Sequence, residues 1–119
     1  MNWPAIGSLM LALAVALGAF GAHGLRGRLD SYSMTIYEKA VFYHFVHALG
    51  LLIAPLLLKG AAIRTCWLLF AGILLFSGSL YLLAITGVRA LGAVTPLGGV
   101  AFIAAWCLLA WELSRRRVE

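Results

Sequence analysis

Apolar residues fall in four long runs along this chain, at about residues 3–23, 36–58, 65–86 and 96–113, with short polar connections between them. An α-helix needs about 20 apolar residues to cross roughly 30 Å of hydrocarbon. Three runs reach that length and the last stands near its lower limit, so the pattern predicts four membrane-spanning helices. Within the second run, apolar and polar positions separate at helical period, about 100° per residue. Ile36, Tyr37, Ala40, Tyr43, His44, His47, Gly50, Leu51 and Ala54 share one half of that helix. Phe42, Phe45, Val46, Leu49, Leu52, Ile53 and Leu56 share the other. In a membrane, this pattern turns bulky apolar side chains toward lipid and small, aromatic and polar ones toward neighbouring helices.

The remaining runs carry small-residue faces. Gly7, Ala14, Gly18 and Gly21 lie on one arc of the first, and Ala71, Gly72, Gly78, Ser79 and Thr86 on one arc of the third. Gly98 and Gly99 stand near the start of the fourth. Such rows let another helix backbone come close. Thr35 followed by Glu38 has the spacing of a capping box and predicts the start of the second helix. Pro55 predicts a kink or early stop near its end, with Lys59 and Gly60 closing it. Thr95-Pro96 reads as an N-cap with proline at the first helical position; a start near Ala90 with a kink at Pro96 is the alternative. Turns this short make consecutive helices antiparallel. The expected architecture is therefore an all-α, up-down four-helix bundle forming one transmembrane domain over residues 1–119.

Composition agrees with that class. The chain is 64% hydrophobic with a mean hydropathy of +1.02, against about 45–50% apolar content in soluble domains. The first run is longer than the roughly 7–15 residues of a signal-peptide core and has no Lys or Arg before it, so it is expected to remain as a span. The net charge of +5 does not indicate nucleic acid, because the basic residues are spread over connections and a short tail and form no stripe. Their use is orientation and contact with anionic headgroups. Lys59, Arg64, Arg115, Arg116 and Arg117 fall on the side of the termini; Arg26, Arg28, Lys39 and Arg89 fall on the other. That bias predicts cytoplasmic termini. Cys66 and Cys107 lack the paired spacing of a zinc knuckle or redox dithiol and are expected as free thiols.

Alternate threading of the four helices brings most of the polar side chains into the membrane half away from the termini. His23 ends the first helix. Tyr37, Tyr43, His44 and His47 occupy the first half of the second, Ser77, Ser79, Tyr81 and Thr86 the second half of the third, and Thr95 begins the fourth. Ionisable groups at such depth are site hypotheses in their own right. The candidate polar pocket is therefore His23, Tyr37, Tyr43, His44, His47, Ser77, Tyr81 and Thr95, and the candidate packing glycines are Gly7, Gly18, Gly21, Gly72, Gly78 and Gly99. His44 and His47 do not complete a zinc sphere of four ligands, and no metal site is expected. No nucleophile–base pair, phosphate loop or zinc-hydrolase spacing is present in the sequence, so no catalytic residue is assigned and no cofactor is specified. The bland role for the imidazoles is to hydrogen-bond neighbouring helices and fix their packing.

The strings Gly18-Ala19-Phe20-Gly21-Ala22-His23-Gly24-Leu25 and Thr95-Pro96-Leu97-Gly98-Gly99, with Tyr37 to Gly50 and Gly72 to Gly87, resemble the small four-span membrane proteins of the transmembrane protein 256 type, known in bacteria as domain of unknown function 423. The resemblance covers nearly the whole chain and takes in His23, Tyr37, His44, His47 and Thr95. It implies a bacterial inner-membrane protein with relatives in mitochondria, and no activity. The expected function is a non-enzymatic accessory or assembly partner of a larger membrane complex, or a self-associating bundle. The alternative is binding of a quinone, lipid or small solute, or proton or solute transport, through the His/Tyr pocket.

Overall fold

A computed structural model describes residues 1–116. Arg117 of the basic tail lies outside the described residues. Helix α1 (Trp3–Phe20) runs into a π-helical turn (Gly21–Leu25), and α2 (Ser31–Leu57) follows after a short connection. The third span joins α3 (Ile63–Gly72) to α4 (Gly78–Thr86) through a second π-helical turn, Ile73–Ser77. A 3-10 turn (Arg89–Ala93) leads into α5 (Thr95–Arg115). The four spans Trp3–Leu25, Ser31–Leu57, Ile63–Thr86 and Arg89–Arg115 are each long and apolar enough to cross a membrane.

Consecutive spans are antiparallel. Gly7 lies against Ala48, Leu51 and Leu52, while Gly21 lies against Tyr37. His44 meets Tyr81 and Tyr43 meets Phe76; Ser79 meets Thr95 near one end of the bundle and Arg64 meets Glu112 at the other. The order of packing is α1 on α2, α2 on the third span, and the third span on α5. This is an all-α, four-span bundle.

The second helix opens earlier than the sequence suggests, at Ser31 rather than Ile36. The Asp30 carboxylate accepts from the Ser33 amide at 2.7 Å and supplies the N-cap. A charged oxygen at that position satisfies an otherwise orphan amide and complements the positive helix start. Thr35 is therefore inside the helix, donating its hydroxyl to the Ser31 carbonyl at 2.9 Å. Glu38 closes no capping box; it faces Arg26 across 3.9 Å at the surface. At 27 residues and about 1.5 Å per residue, α2 is roughly 40 Å long, more than the hydrocarbon needs. Its first turns, including the exposed Tyr32, stand at the interface. The fourth span follows the earlier-start alternative in part. Val94 is the residue preceding α5, so Thr95 lies in the first turn and its hydroxyl is turned to Ser79 instead of capping.

The apolar core sits toward the terminal end, where Trp3, Leu51, Leu58, Leu69, Phe102 and Leu109 pack together. Close approach makes glycine necessary at a few positions only. A Cβ at Gly7 would lie 2.7 Å from the Leu52 amide nitrogen, and one at Gly98 would run into the Phe76 backbone. Gly18 faces Val41, Gly21 the Tyr37 ring and Gly72 the Phe102 ring. Gly78 and Gly99 make no such tight contact: their nearest neighbours would stand 3.9 and 3.8 Å away. The close approach of α5 belongs to Gly98, because that residue, not its neighbour, points at the third span.

Candidate functional site

The inward half of α2 carries the buried histidines, and the third span carries the buried hydroxyls of Thr65, Ser77 and Ser79. Tyr37, Ala40, His44, His47, Ala48, Gly50, Leu51 and Ala54 are all buried. The earlier start at Ser31 places His44 about 20 Å along the helix axis, well inside hydrocarbon depth. His44 is 1% and His47 5% exposed, which in the membrane means that neither ring meets acyl chains.

A line of contacts links these groups. The Tyr37 hydroxyl donates to the Leu17 carbonyl of α1 at 2.5 Å, and its ring meets Tyr81 edge-on at 5.3 Å. The Tyr81 hydroxyl lies 2.9 Å from His44 Nδ1. The Met10 carbonyl stands beside His44 on its α1 side and can only accept. The consistent tautomer has Tyr81 donating to Nδ1 and the proton on Nε2. No well-formed hydrogen bond reaches Nε2, and the Ser77 hydroxyl is likewise unpartnered at full burial. Helical side chains lean toward the N-terminus of their helix, so Tyr81 reaches back over the turn of Ser77.

His47 is held differently. Its Nδ1–H donates to the Tyr43 carbonyl one turn earlier at 2.6 Å, which fixes the tautomer because a carbonyl only accepts. Its ring stacks on Phe102 at 3.4 Å between centroids, with Trp106 tilted beside it at 5.7 Å. Farther out, the Ser79 and Thr95 hydroxyls meet at 2.5 Å and join the third span to α5.

The structure thus brings together Tyr37, His44 and Tyr81; Ser77 is buried on the third span without a hydrogen-bond partner, and His47 and the Ser79–Thr95 pair are adjoining packing contacts. His23 is exposed on the π-helical turn after α1 and joins none of them. Tyr43 is 38% exposed, its ring against Phe42 and Phe76, and contributes its carbonyl in place of its hydroxyl. Sequence reasoning missed the α1 carbonyls of Leu17 and Met10, because a backbone acceptor has no sequence signature. It also missed Phe102, although Phe102 and Trp106 one turn on, with Gly98 one turn before, mark the face of α5 that α2 and the third span use.

A cleft of about 270 Å³ opens between α1 and α2 at the loop end, with Tyr37 at its base and Arg26 and Glu38 at its edge. Outside the spans, the Ser33 amide holds the Asp30 carboxyl below its ordinary value. Among the described residues, no three His, Cys, Asp or Glu side chains come together as a metal site, and Cys66 and Cys107 are free.

Four apolar spans around a buried polar seam define a small multi-span α-helical membrane protein. The chain belongs to a family described as Protein of unknown function (DUF423), whose model matches residues 17–99. It is similar to UPF0382 membrane protein YwdK of Bacillus subtilis, 48% identical over 109 residues covering 87% of this chain and 89% of that protein. It is also similar to UPF0382 membrane protein SERP0230 of Staphylococcus epidermidis, 52% identical over 107 residues covering 87% and 88%. No solved structure matches the chain.

Proposed function

We propose that this protein is a non-enzymatic membrane bundle that acts as an accessory or assembly partner of a larger membrane complex, or associates with its own copies. The small-residue rows that suggest docking from sequence are turned inward: Gly7, Gly18 and Gly21 meet α2, and Gly72 meets α5. One observation carries the reading instead. Ser8, Ala12 and Ala16 form an exposed row at four-residue spacing on the outer side of α1, the spacing at which a second helix backbone can approach. The buried histidines fit the same role. They hold α2 to its neighbours and so keep α1 in a fixed pose. The basic residues favour cytoplasmic termini, and the family resemblance favours a bacterial inner membrane.

Affinity isolation from membranes in mild detergent tests this reading. A co-purifying subunit or a defined oligomer, lost in Ala12→Leu with the bundle still folded, supports it; a monomer alone removes it.

A second reading rests on the unpartnered His44 Nε2 and Ser77 hydroxyl. Buried polar atoms without partners are expensive, and a small protic ligand or a relayed proton at either would relieve that cost. Replacing His44 with Gln separates the two readings. A ligand or relay role predicts lost binding or flux in an intact bundle, whereas a packing role predicts lost stability first.

A further inference from the structure

At the terminal end, the start of α1, the end of α2 and the start of α3 enclose a cleft of about 450 Å³. Trp3, Pro4, Leu56, Ile63 and Trp67 wall it and Gly60 stands at its rim. Trp3 packs edge-on against Trp67 at 5.0 Å and fixes the back wall. Leu56, Ile63 and Trp67 are exposed, so the cleft opens sideways to the level of acyl chains.

The rim is basic. Lys59, exposed beside Gly60, has a φ of 48°. That is left-handed backbone, which lysine enters at a cost and which glycine or asparagine occupies more readily. Arg116 reaches back from the end of α5 and donates from Nη2 to the Leu58 carbonyl at 3.0 Å, holding a guanidinium against the same connection. Arg64 is paired with Glu112 at 2.8 Å, whereas Lys59 and Arg116 have no carboxylate partner among the described residues. The first amides of α3 carry no side-chain cap and add donors at this rim.

We infer that this cleft binds an anionic phospholipid, with the phosphate held by Lys59 and Arg116 and an acyl chain lying on Leu56, Ile63 and Trp67. An apolar slot beside unpaired cations at the membrane surface matches an amphiphile of that charge. The inference stands apart from the assembly reading, which concerns the outer face of α1.

Full-length protein in zwitterionic detergent, titrated in turn with phosphatidylglycerol, phosphatidylcholine and inorganic phosphate, provides the test. Native mass spectrometry reads retained lipid, and thermal unfolding reads stabilisation. The expected result is one retained phosphatidylglycerol with a raised unfolding temperature, and neither effect with the other two. Lys59→Asn suits the left-handed backbone. Without lipid it should unfold no earlier than the parent, yet bind phosphatidylglycerol on the order of fivefold more weakly. Arg26→Gln, at the opposite end, should leave binding unchanged. Equal retention of the two lipids, full affinity in Lys59→Asn, an equal loss in Arg26→Gln, or an equal response to inorganic phosphate overturns the proposal.

Discussion

The two ends of the bundle are held together by different physics. Toward the termini, Trp3, Leu51, Leu58, Leu69 and Leu109 form an apolar core in which contacts are many and undirected. Toward the loops, Tyr37, His44, Tyr81, Ser79 and Thr95 join the same spans through a few directed bonds. Lipid tails are as apolar as leucine, so an apolar core in a membrane gains from close packing and little from water exclusion. A directed bond, by contrast, admits one register. Cohesion is concentrated in the terminal core, and the buried directed bonds that set register lie toward the loops, while the terminal end adds the polar contacts Arg64–Glu112 and Arg116–Leu58.

That division can be broken at several points. The largest effect belongs to Gly98→Leu, which drives a side chain into the Phe76 backbone at the crossing of the third span and α5. Size-exclusion chromatography in mild detergent should show loss of the monodisperse bundle, because backbone atoms cannot move aside as a side-chain tip does. Next comes Leu51→Ala, fully buried in the terminal core, with an expected cost near the lower end of the roughly 2–5 kcal/mol of buried leucines, because in lipid the cavity term remains and the water-transfer term largely drops out. Unfolding in mixed micelles of mild and denaturing detergent measures it.

Tyr81→Phe should cost less, about 0.6 kcal/mol and at most about 1.7, the range for interhelical hydrogen bonds in membranes. Its signature is positional: cross-linking between cysteines placed on α2 and α4 should lose its preference for one register while the folded fraction changes little. A Tyr81→Phe cost equal to that of Leu51→Ala would collapse the contrast. The smallest effect concerns Asp30, outside the membrane. Its carboxyl is held below its ordinary value by Ser33, so its contribution is full above about pH 4 and is lost as pH falls through the lowered native value. Thermal unfolding should find Asp30→Ala less stable at neutral pH and equal to the parent in sufficient acid.

Much of the architecture was legible because hydropathy and helical period are strong signals. The buried side of α2 differs from the sequence wheel chiefly in Tyr43, whose ring reaches outward, and in Ala48, which joins the core. The start of α2 was not legible. Asp30 and Thr35 both offer a capping oxygen, and the choice depends on how the preceding turn at Gly27 (φ 85°) delivers the chain. Of the candidate pocket, the shared depth of Tyr37, His44 and Tyr81 was legible, whereas the bonds among them were not. His44 and Tyr81 can be named from depth alone, but the Leu17 and Met10 carbonyls that complete their surroundings are backbone. His23 shares the membrane half of that set, but its position on the turn that ends the first span leaves it exposed.

The π-helical turn Ile73–Ser77 gives the third span one residue of slack in mid-membrane. An α-helix advances about 100° per residue, so this surplus sets the faces of α3 and α4 out of phase by roughly that amount. The same rod meets α5 through Gly72 below the turn and Ser79 above it, and meets α2 through Leu69 below and Tyr81 above. Deleting a single residue such as Leu74 would restore an unbroken helix with Tyr81 still facing His44, because the wide turn winds its five residues through about the angle of four α-helical ones. Forcing all five into regular α-helix would instead swing Tyr81 to other neighbours.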